Sequence, residues 1–166
     1  MTDGSALLTA ALEASAADIL AYLQRRAGPD DAPDLLGETM VVAWRRVAEL
    51  PVDAERARMW LFGIARGALL NHARGSRRRW ALADRIRLQV RENACAPPSD
   101  AGADVRDAIA RLDLDLAEVV RLVHWEGFSL AEAGEIIGIP ASTARGRYQR
   151  AKAELRAALS MEAPLA

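Results

Sequence analysis

The stretch Ser129–Lys152, SLAEAGEIIGIPASTARGRYQRAK, predicts a helix, a tight turn and a second helix. Ser129 can cap the first helix, and Glu132 stands three residues later, where the return partner of a capping box belongs. Gly138 is placed to end that helix, and Pro140 comes just before the next one. This order of signals is typical of a helix-turn-helix that reads duplex DNA.

The second helix of this stretch is polar and basic, as base recognition requires. Arg can bind guanine with two hydrogen bonds and Gln can bind adenine in the same way. Gly146 either lets the helix approach the DNA backbone closely or is a tolerated small residue. Tyr148 and Leu155 are expected to pack inward, and the alternative for the whole helix is a basic member of an ordinary bundle. The candidate DNA contacts are Ser142, Thr143, Arg145, Gly146, Gln149 and Arg150.

The charged residues are segregated along the chain, although the formal net charge is only −1. Residues 56–91 hold ten Arg and a single acid, which gives +9, and residues 142–166 carry +3. Residues 1–55 and 92–141 carry −6 and −7. Because phosphate neutralisation is a local matter, two basic segments separated by acidic ones predict two separate contacts with nucleic acid.

Composition favours an all-α protein. The 166 residues are 51% hydrophobic and only 5% aromatic, and alanine is abundant, which suits helices more than strands. No apolar run approaches the ~20 residues that span a bilayer, and the N-terminus lacks the basic start of a signal peptide. The single cysteine, Cys95, excludes an internal disulfide framework. We therefore expect a cytoplasmic protein without membrane insertion.

One segment reads as a flexible linker between two helical domains. Residues 92–104, ENACAPPSDAGAD, combine prolines, glycine and small side chains and show no apolar period. The linker divides the chain into domains at 1–91 and 105–166. In the first domain, a turn at Gly28-Pro29-Asp30 precedes Asp31, which is expected to cap the next helix with Asp34 in the capping-box position. Trp44 and Trp60 are expected to be core anchors.

The residue pattern argues against an enzyme. The two histidines, His72 and His124, lie in different predicted domains, and neither has a carboxylate or cysteine at the spacing of a metal site or catalytic triad. The sequence has no Gly-rich phosphate loop, and Cys95 lacks a metal partner at suitable spacing. We therefore expect no catalysis, no cofactor and no metal.

Three motifs, in order along the chain, carry a family resemblance. Asp34–Met40, DLLGETM, followed by Ala43-Trp44-Arg45, resembles the Asp-Leu-x-Gln-Glu-Thr-Phe…Ala-Trp motif of extracytoplasmic-function (ECF) sigma factors. Met59–Arg66, MWLFGIAR, resembles their Trp-Leu-x-x-Ile-Ala-Arg motif, and Ser129–Leu159 resembles their C-terminal helix-turn-helix. The chain thus resembles a small member of the sigma-70 family.

The resemblance implies two helical domains, called sigma-2 and sigma-4, and a division of labour between them. The sigma-2-like domain would bind the β′ clamp helices of core RNA polymerase and would recognise and melt the −10 promoter element, with the loop at 50–57 capturing a flipped base. The sigma-4-like domain would bind the β flap and read the −35 element. The implied core-polymerase contacts are Asp34, Leu35, Glu38, Thr39 and Arg45. The implied −10 contacts are Arg58, Arg66, Asn71, Arg74, Arg77 and Arg78.

The implied partners are core RNA polymerase, promoter DNA and an anti-sigma factor. Two other interpretations remain open. The first is a sigma mimic that occupies an anti-sigma factor without engaging DNA, but such a protein need not keep an Arg-rich helix and a basic recognition helix. The second is a stand-alone helix-turn-helix transcription regulator, which leaves the motif at 34–45 unexplained.

Overall fold

The computed structural model describes the backbone of residues 2–84 and 103–161, and the side chains of residues 4–76 and 104–160 within them. These residues form seven α-helices and one short 3-10 helix, Val47–Glu49, without any strand among them. The fold class predicted from the sequence, all-α, is therefore confirmed. The helices are α1 Thr2–Ala27, α2 Ala32–Arg45, α3 Ala54–Asp84, α4 Ala103–Arg111, α5 Leu114–His124, α6 Leu130–Ile137 and α7 Ala141–Met161.

Residue contacts divide the chain into two compact units, Met1–Val90 and Arg91–Ala166. Most of the predicted linker at 92–104 lies outside the described residues. Its last two residues, which the sequence analysis assigned to the linker, already belong to α4. A run of acidic and apolar residues at helical spacing begins at Asp104, and this start of an amphipathic helix was missed.

In the first unit, α1, α2 and α3 pack against one another around a core of large apolar side chains. Tyr22 of α1 and Phe62 of α3 meet edge to face, with ring centroids 5.2 Å apart. The Arg26 guanidinium lies over the Tyr22 ring, 3.8 Å from its centroid. The fully buried aliphatic residues of this unit are Leu8, Ile19, Leu23 and Leu61.

Helix α1 contains a longer apolar stretch than the sequence analysis recognised. Its segment Gly4–Ala27 spans 24 residues with a mean hydropathy of 1.5, so it is long and apolar enough to cross a membrane by these two criteria alone, although membrane insertion is not indicated. Length and apolar content do not distinguish a spanning helix from a long core helix. In this structure Leu8, Ile19 and Leu23 are fully buried where α1 packs on α2 and α3.

Only some of the features predicted for the turn from α1 to α2 are found in the structure. Gly28 has a φ of 90°, the left-handed conformation that ends a helix, and its N–H donates to the Gln24 carbonyl at 3.0 Å. Asp31 occupies the N-cap position of α2, as expected, but its side chain makes no capping hydrogen bond. Its backbone is helical, with φ −87° and ψ −22°, whereas a capping side chain needs an extended backbone. The N–H of Ala32 donates instead to the Gly28 carbonyl.

The second unit has its own core, which α4, α5 and α7 share. Tyr148 and Leu155 pack against it from α7, so the prediction that they face inward is confirmed. The buried members of this cluster are Ile109, Leu112, Leu116, Ala117, Val120 and Ala151. The core fixes the rotation of α7 about its axis and therefore decides which of its polar residues face outward.

Helices α6 and α7 form the predicted helix-turn-helix. Ser129 Oγ accepts from the Glu132 N–H at 3.2 Å, and a Glu132 carboxylate oxygen accepts from the Ser129 N–H at 2.7 Å, which confirms the capping box. Gly138 has a φ of 82° and ends α6, as predicted. The N–H groups of Gly138 and Ile139 both donate to the Gly134 carbonyl at 2.9 Å, which closes the turn.

Candidate functional site

Each unit carries its own candidate surface. In the first unit, α2 turns Asp34, Glu38 and Arg45 outward, and all three are exposed. Val41 and Trp44 lie beside them with 50% and 55% of their surface exposed. We call these five residues the α2 outer face. Charged groups around an exposed tryptophan suit the binding of another protein better than they suit a solvated helix surface.

The other two residues implied as polymerase contacts lie on the inner side of α2. Leu35 is 3% exposed and Thr39 is fully buried. The Thr39 hydroxyl donates to the Leu35 carbonyl at 2.7 Å, so its polar group is satisfied within the helix. These two side chains can therefore support the α2 outer face by holding α2 against its neighbours.

Trp44 corrects another expectation, because it is not a core anchor. The buried positions of α2 are Ala32, Leu35, Thr39 and Ala43, which recur every three or four residues. Trp44 follows Ala43 by one residue and so points about 100° away from the buried side. Trp60 of α3 is half-buried, and its indole nitrogen is shielded from solvent. The apolar stripe of α2 is broad in the sequence, so the pattern does not show that Trp44 lies outside the buried side.

An ion pair stabilises the segment that follows α2. The Arg46 guanidinium donates to both carboxylate oxygens of Glu49, with Nε to Oε1 at 3.0 Å and Nη2 to Oε2 at 2.5 Å. This hydrogen bond lowers the pKa of Glu49, and the attraction between the two charges lowers it further. The same hydrogen bond raises the pKa of Arg46. The pair spans the 3-10 helix that leads to the loop before α3.

The segment at 50–57, expected to be a loop, is one only as far as Asp53, because α3 already begins at Ala54 with a capping interaction. Asp53 Oδ1 accepts from the Arg56 N–H at 2.9 Å, which satisfies a free amide at the start of the helix. Leu50 is buried at the beginning of the loop, while Val52 is 84% exposed at its tip. The loop is thus anchored at both ends and offers an apolar side chain outward.

The polar residues of α3 fall into three groups. Asn71 and Arg74 are exposed, and Arg66 is half-buried. Arg58 is held against the unit: it lies 3.6 Å from Asp18 of α1 and 5.0 Å from the Phe62 ring centroid. Arg77 and Arg78 continue the helix, but their side chains lie outside the described residues. The structure therefore brings Arg66, Asn71 and Arg74 to the surface and keeps Arg58 in a contact between helices.

A histidine that the sequence analysis set aside joins the two helices of this surface. His72 Nε2 of α3 lies 3.2 Å from Asp31 Oδ2 at the start of α2. With its backbone in a helical conformation, Asp31 thus contacts α3 rather than the amides at the start of α2. The two residues are 41 positions apart, so no local sequence pattern predicts their contact.

In the second unit, α7 presents a polar row toward solvent. The residues of this row, which we call the α7 reading face, are all exposed. They are Ser142, Thr143, Arg145, Gly146, Gln149 and Arg150. On the opposite side, the Tyr148 hydroxyl lies 2.9 Å from His124 Nε2, and the two rings stack at 5.8 Å. That contact ties α7 to the end of α5.

Glycines shape both helices of the helix-turn-helix. A methyl group on Gly134 would come within 3.0 Å of the Ile139 carbonyl oxygen and 3.3 Å of the Ala144 methyl group. Gly134 therefore allows α6 to cross close to α7, a role that the sequence analysis did not assign. A methyl group on Gly146 would meet no atom within 4 Å. Gly146 is thus not needed for packing inside the described unit.

Two arginines of α7 are paired with acids of α5. Arg147 Nη2 lies 2.9 Å from Asp115 Oδ2, and Arg150 Nη2 lies 3.8 Å from Asp113 Oδ2. Arg150 also lies 3.7 Å from Glu154 on its own helix. Arg150 was predicted as a DNA contact, but Asp113 stands 37 positions before Arg150 and Asp115 stands 32 positions before Arg147, so no local pattern predicts these two pairs.

Comparison with known protein families identifies both units. The family model for sigma-70 region 2 matches residues 12–79, and the model for sigma-70 region 4 matches residues 103–155. The ECF RNA polymerase sigma factor SigL of Mycobacterium tuberculosis is 28% identical over 93% of this chain and 90% of its own length. The ECF sigma factor SigC of the same species is 30% identical over 90% of this chain and 82% of its own length.

Solved structures agree with this assignment at the level of the fold. The sigma factor RpoE of Bartonella quintana, crystallised in complex with the anti-sigma factor NepR, superposes with a TM-score of 0.69 at 24% identity, covering 98% of this chain and all of that one. CnrH, in complex with the cytosolic domain of CnrY, superposes with a TM-score of 0.63 at 23% identity over 96% of both chains. With the region 2 fold in one unit and the region 4 fold in the other, this chain belongs to the sigma-70 family as an ECF sigma factor.

Proposed function

We propose that this protein directs core RNA polymerase to specific promoters by reading the −35 element with α7 and by melting the −10 element with α3 and the loop at 50–57. The observation that carries the proposal is the α7 reading face, a polar and basic row held outward by a capped helix-turn-helix. A row of this kind suits the major groove of duplex DNA. The protein then acts in the cytoplasm and catalyses no reaction itself.

The first unit supplies the functions that a DNA reader alone would lack. The α2 outer face combines Asp34, Glu38 and Arg45 with an exposed tryptophan, which suits docking on the clamp helices of the β′ subunit. Exposed Asn71 and Arg74 of α3, with half-buried Arg66, can hold a base edge and displaced phosphates. Arg58, Arg77 and Arg78 complete the proposed −10 contacts.

The proposed partners are core RNA polymerase, through its β′ clamp helices and β flap, promoter DNA and an anti-sigma factor. The last is suggested by RpoE, whose solved complex contains one. The test is a transcription assay in which the purified chain and core polymerase act on a promoter library. We expect a defined set of promoters to be transcribed. If the chain neither binds polymerase nor starts specific transcription, the proposal fails.

Variants separate the two proposed DNA contacts. Arg145→Ala should weaken use of the −35 element by about 5- to 150-fold, the range of one good base contact, while polymerase binding persists. Arg66→Ala and Asn71→Ala should instead impair opening, and a template with a premelted −10 region should rescue them but not Arg145→Ala. Arg156→Ala on α7 and Gln24→Ala on α1 are the matched controls, since both residues are exposed and lie outside the proposed contacts.

The same variants distinguish the proposed sigma-factor function from the two other interpretations, a sigma mimic and a stand-alone regulator. A sigma mimic would bind an anti-sigma factor but would show no loss of DNA binding in Arg145→Ala. A stand-alone regulator would bind its DNA sites without polymerase, and changes at Glu38 or Arg45 would leave its activity intact. Equal effects of all variants at every step would contradict the proposed division of labour.

A further inference from the structure

The start of α5 faces two arginines of the proposed DNA-reading helix. Arg147 pairs with Asp115, and Arg150 pairs with Asp113. Together with Leu114, which is 75% exposed, these four side chains line an open cleft of about 410 Å³ between α5 and α7. The side chain of Arg150 is 67% exposed and that of Arg147 only 26%, so the pairs lie at the margin of the α7 reading face.

The packing of the unit places both carboxylates. Helices α5 and α7 are joined through the core, in which Leu116 and Ala151 are buried. Asp113 occupies the N-cap position of α5 with an extended backbone, but its side chain makes no capping hydrogen bond. Asp115 lies in the first turn of the same helix. The positive end of the helix dipole stabilises negative charge at both positions, and neither carboxylate is consumed by capping.

Carboxylate and phosphate oxygens compete for the same guanidinium donors. Both accept the paired N–H groups of arginine, and a donor that is occupied by one cannot serve the other at full strength. Arg150 Nη2 lies 3.8 Å from Asp113 and 3.7 Å from Glu154, and Arg147 Nη2 lies 2.9 Å from Asp115, so a phosphate that draws either guanidinium toward DNA weakens these pairs.

We propose that Asp113 and Asp115 are positioning residues that compete with DNA phosphate for Arg150 and Arg147 and so weaken the binding of this chain to DNA of arbitrary sequence. The inference rests on the proposed role of α7 as the helix that contacts DNA. An arginine that binds phosphate gives up its carboxylate partner. Only a DNA site that makes good base contacts with the rest of the α7 reading face compensates for this loss. The two acids therefore raise discrimination between DNA sequences and lower the overall affinity for DNA.

This competition has a measurable salt signature. When an arginine contacts a DNA phosphate, about 0.9 counterion is released from the DNA. If that arginine leaves a carboxylate to do so, the freed carboxylate binds a cation from solution, and the net release of counterions is smaller. Removal of the acids should therefore steepen the dependence of log Kd on log salt by up to about two units. Because exposed ion pairs are individually weak, the affinity at low salt should rise by only about 3- to 10-fold.

The experiment uses the full chain and a short fluorescent duplex of mixed sequence, with anisotropy titrations over a range of salt concentrations. The variants are Asp113→Asn, Asp115→Asn and the double variant. Asparagine is a good N-cap residue, so α5 should still begin where it does. The matched control is Asp104→Asn with Asp107→Asn on α4, which removes the same charge from two exposed positions of the same unit. Serine variants at 113 and 115 repeat the test if an asparagine variant fails to fold.

We expect the double variant to bind the duplex more tightly and with a steeper salt dependence than both the wild type and the α4 control. The gain from Asp113→Asn should disappear when Arg150 is replaced by Ala, and the gain from Asp115→Asn should disappear with Arg147→Ala. Equal affinity and slope in the double variant and the α4 control would overturn the inference while leaving the −35 role intact. A second duplex, which carries the −35 element of a transcribed promoter, tests the premise. If Arg145→Ala binds that duplex as the wild type does, the proposed −35 role fails together with the inference.

Discussion

At Gly134 the two helices of the helix-turn-helix approach so closely that a methyl group would not fit without a shift. The nearest atom, the Ile139 carbonyl oxygen, belongs to the turn, and the Ile139 N–H is itself bonded to the Gly134 carbonyl. The turn that contains Ile139 is therefore held in place and cannot move aside freely, so Gly134→Ala should destabilise the unit. We expect a net loss of up to about 2 kcal/mol, because an overpacking cost of about 1–3 kcal/mol exceeds the gain of about 1 kcal/mol in helix propensity. Thermal unfolding followed by circular dichroism measures it.

Gly146→Ala is the matched control and also decides an alternative left open by the sequence. No atom lies within 4 Å of the added methyl group, so the change should stabilise α7 by about 0.5–1 kcal/mol. If α7 approaches the DNA backbone closely at this point, the same variant should bind DNA less well despite its greater stability. A stable variant with unchanged binding would identify Gly146 as a tolerated small residue.

The Arg46–Glu49 pair predicts a pH effect with a definite sign. Its hydrogen bond lowers the pKa of Glu49 in the folded chain, so the pair stabilises the fold above the carboxyl group's ordinary pKa. That contribution is lost as the pH falls through the lowered value. Carboxyl chemical shifts followed by NMR should show Glu49 titrating below its usual range, and Arg46→Ala should return it to that range. An unchanged titration in Arg46→Ala would contradict this origin of the shift.

At the scale of single elements, Trp44 is the residue whose role changed most between sequence and structure. Trp44 is exposed in the last turn of α2, beside charged residues, and exposed tryptophans are enriched among the hot spots of protein interfaces. Trp44→Ala should lower the affinity of the protein for core polymerase by at least about tenfold. The free energy of unfolding of the variant should stay within about 0.5 kcal/mol of the wild-type value. Competition binding to core polymerase and thermal unfolding separate the two effects. Val52→Ala, at another exposed apolar residue of the same unit, should change neither.

Signals that act within one element were predictable, and contacts between elements were not. The capping box at Ser129 and the end of α6 at Gly138 depend on residues a few positions apart, so the sequence contains the whole interaction. The cap at Asp31 is absent because its backbone is helical, and its carboxylate instead contacts His72 of α3, 41 residues later. The acid partners of Arg147 and Arg150 were invisible for the same reason.

At the scale of the whole molecule, the division into a region 2 and a region 4 unit was visible in the order of the motifs and in the segregation of charge. The composition of residues 92–104 predicts a flexible tether, and the bulk of this segment lies outside the described residues. A tether raises the local concentration of the second unit once the first is bound, and this effect depends on its length more than on its sequence.

That dependence gives a test of the linker. Doubling the 13-residue segment at 92–104 with Gly and Ser should reduce transcription from a promoter with both elements by only about threefold, since effective concentration falls roughly as the −3/2 power of length. A scrambled segment of the same composition should leave transcription unchanged. Deletion of 92–102 should be far more harmful, because the two units could no longer reach both elements together. Run-off transcription at matched polymerase occupancy measures all three, and a loss in the scrambled variant would show that this segment makes specific contacts rather than serving as a tether.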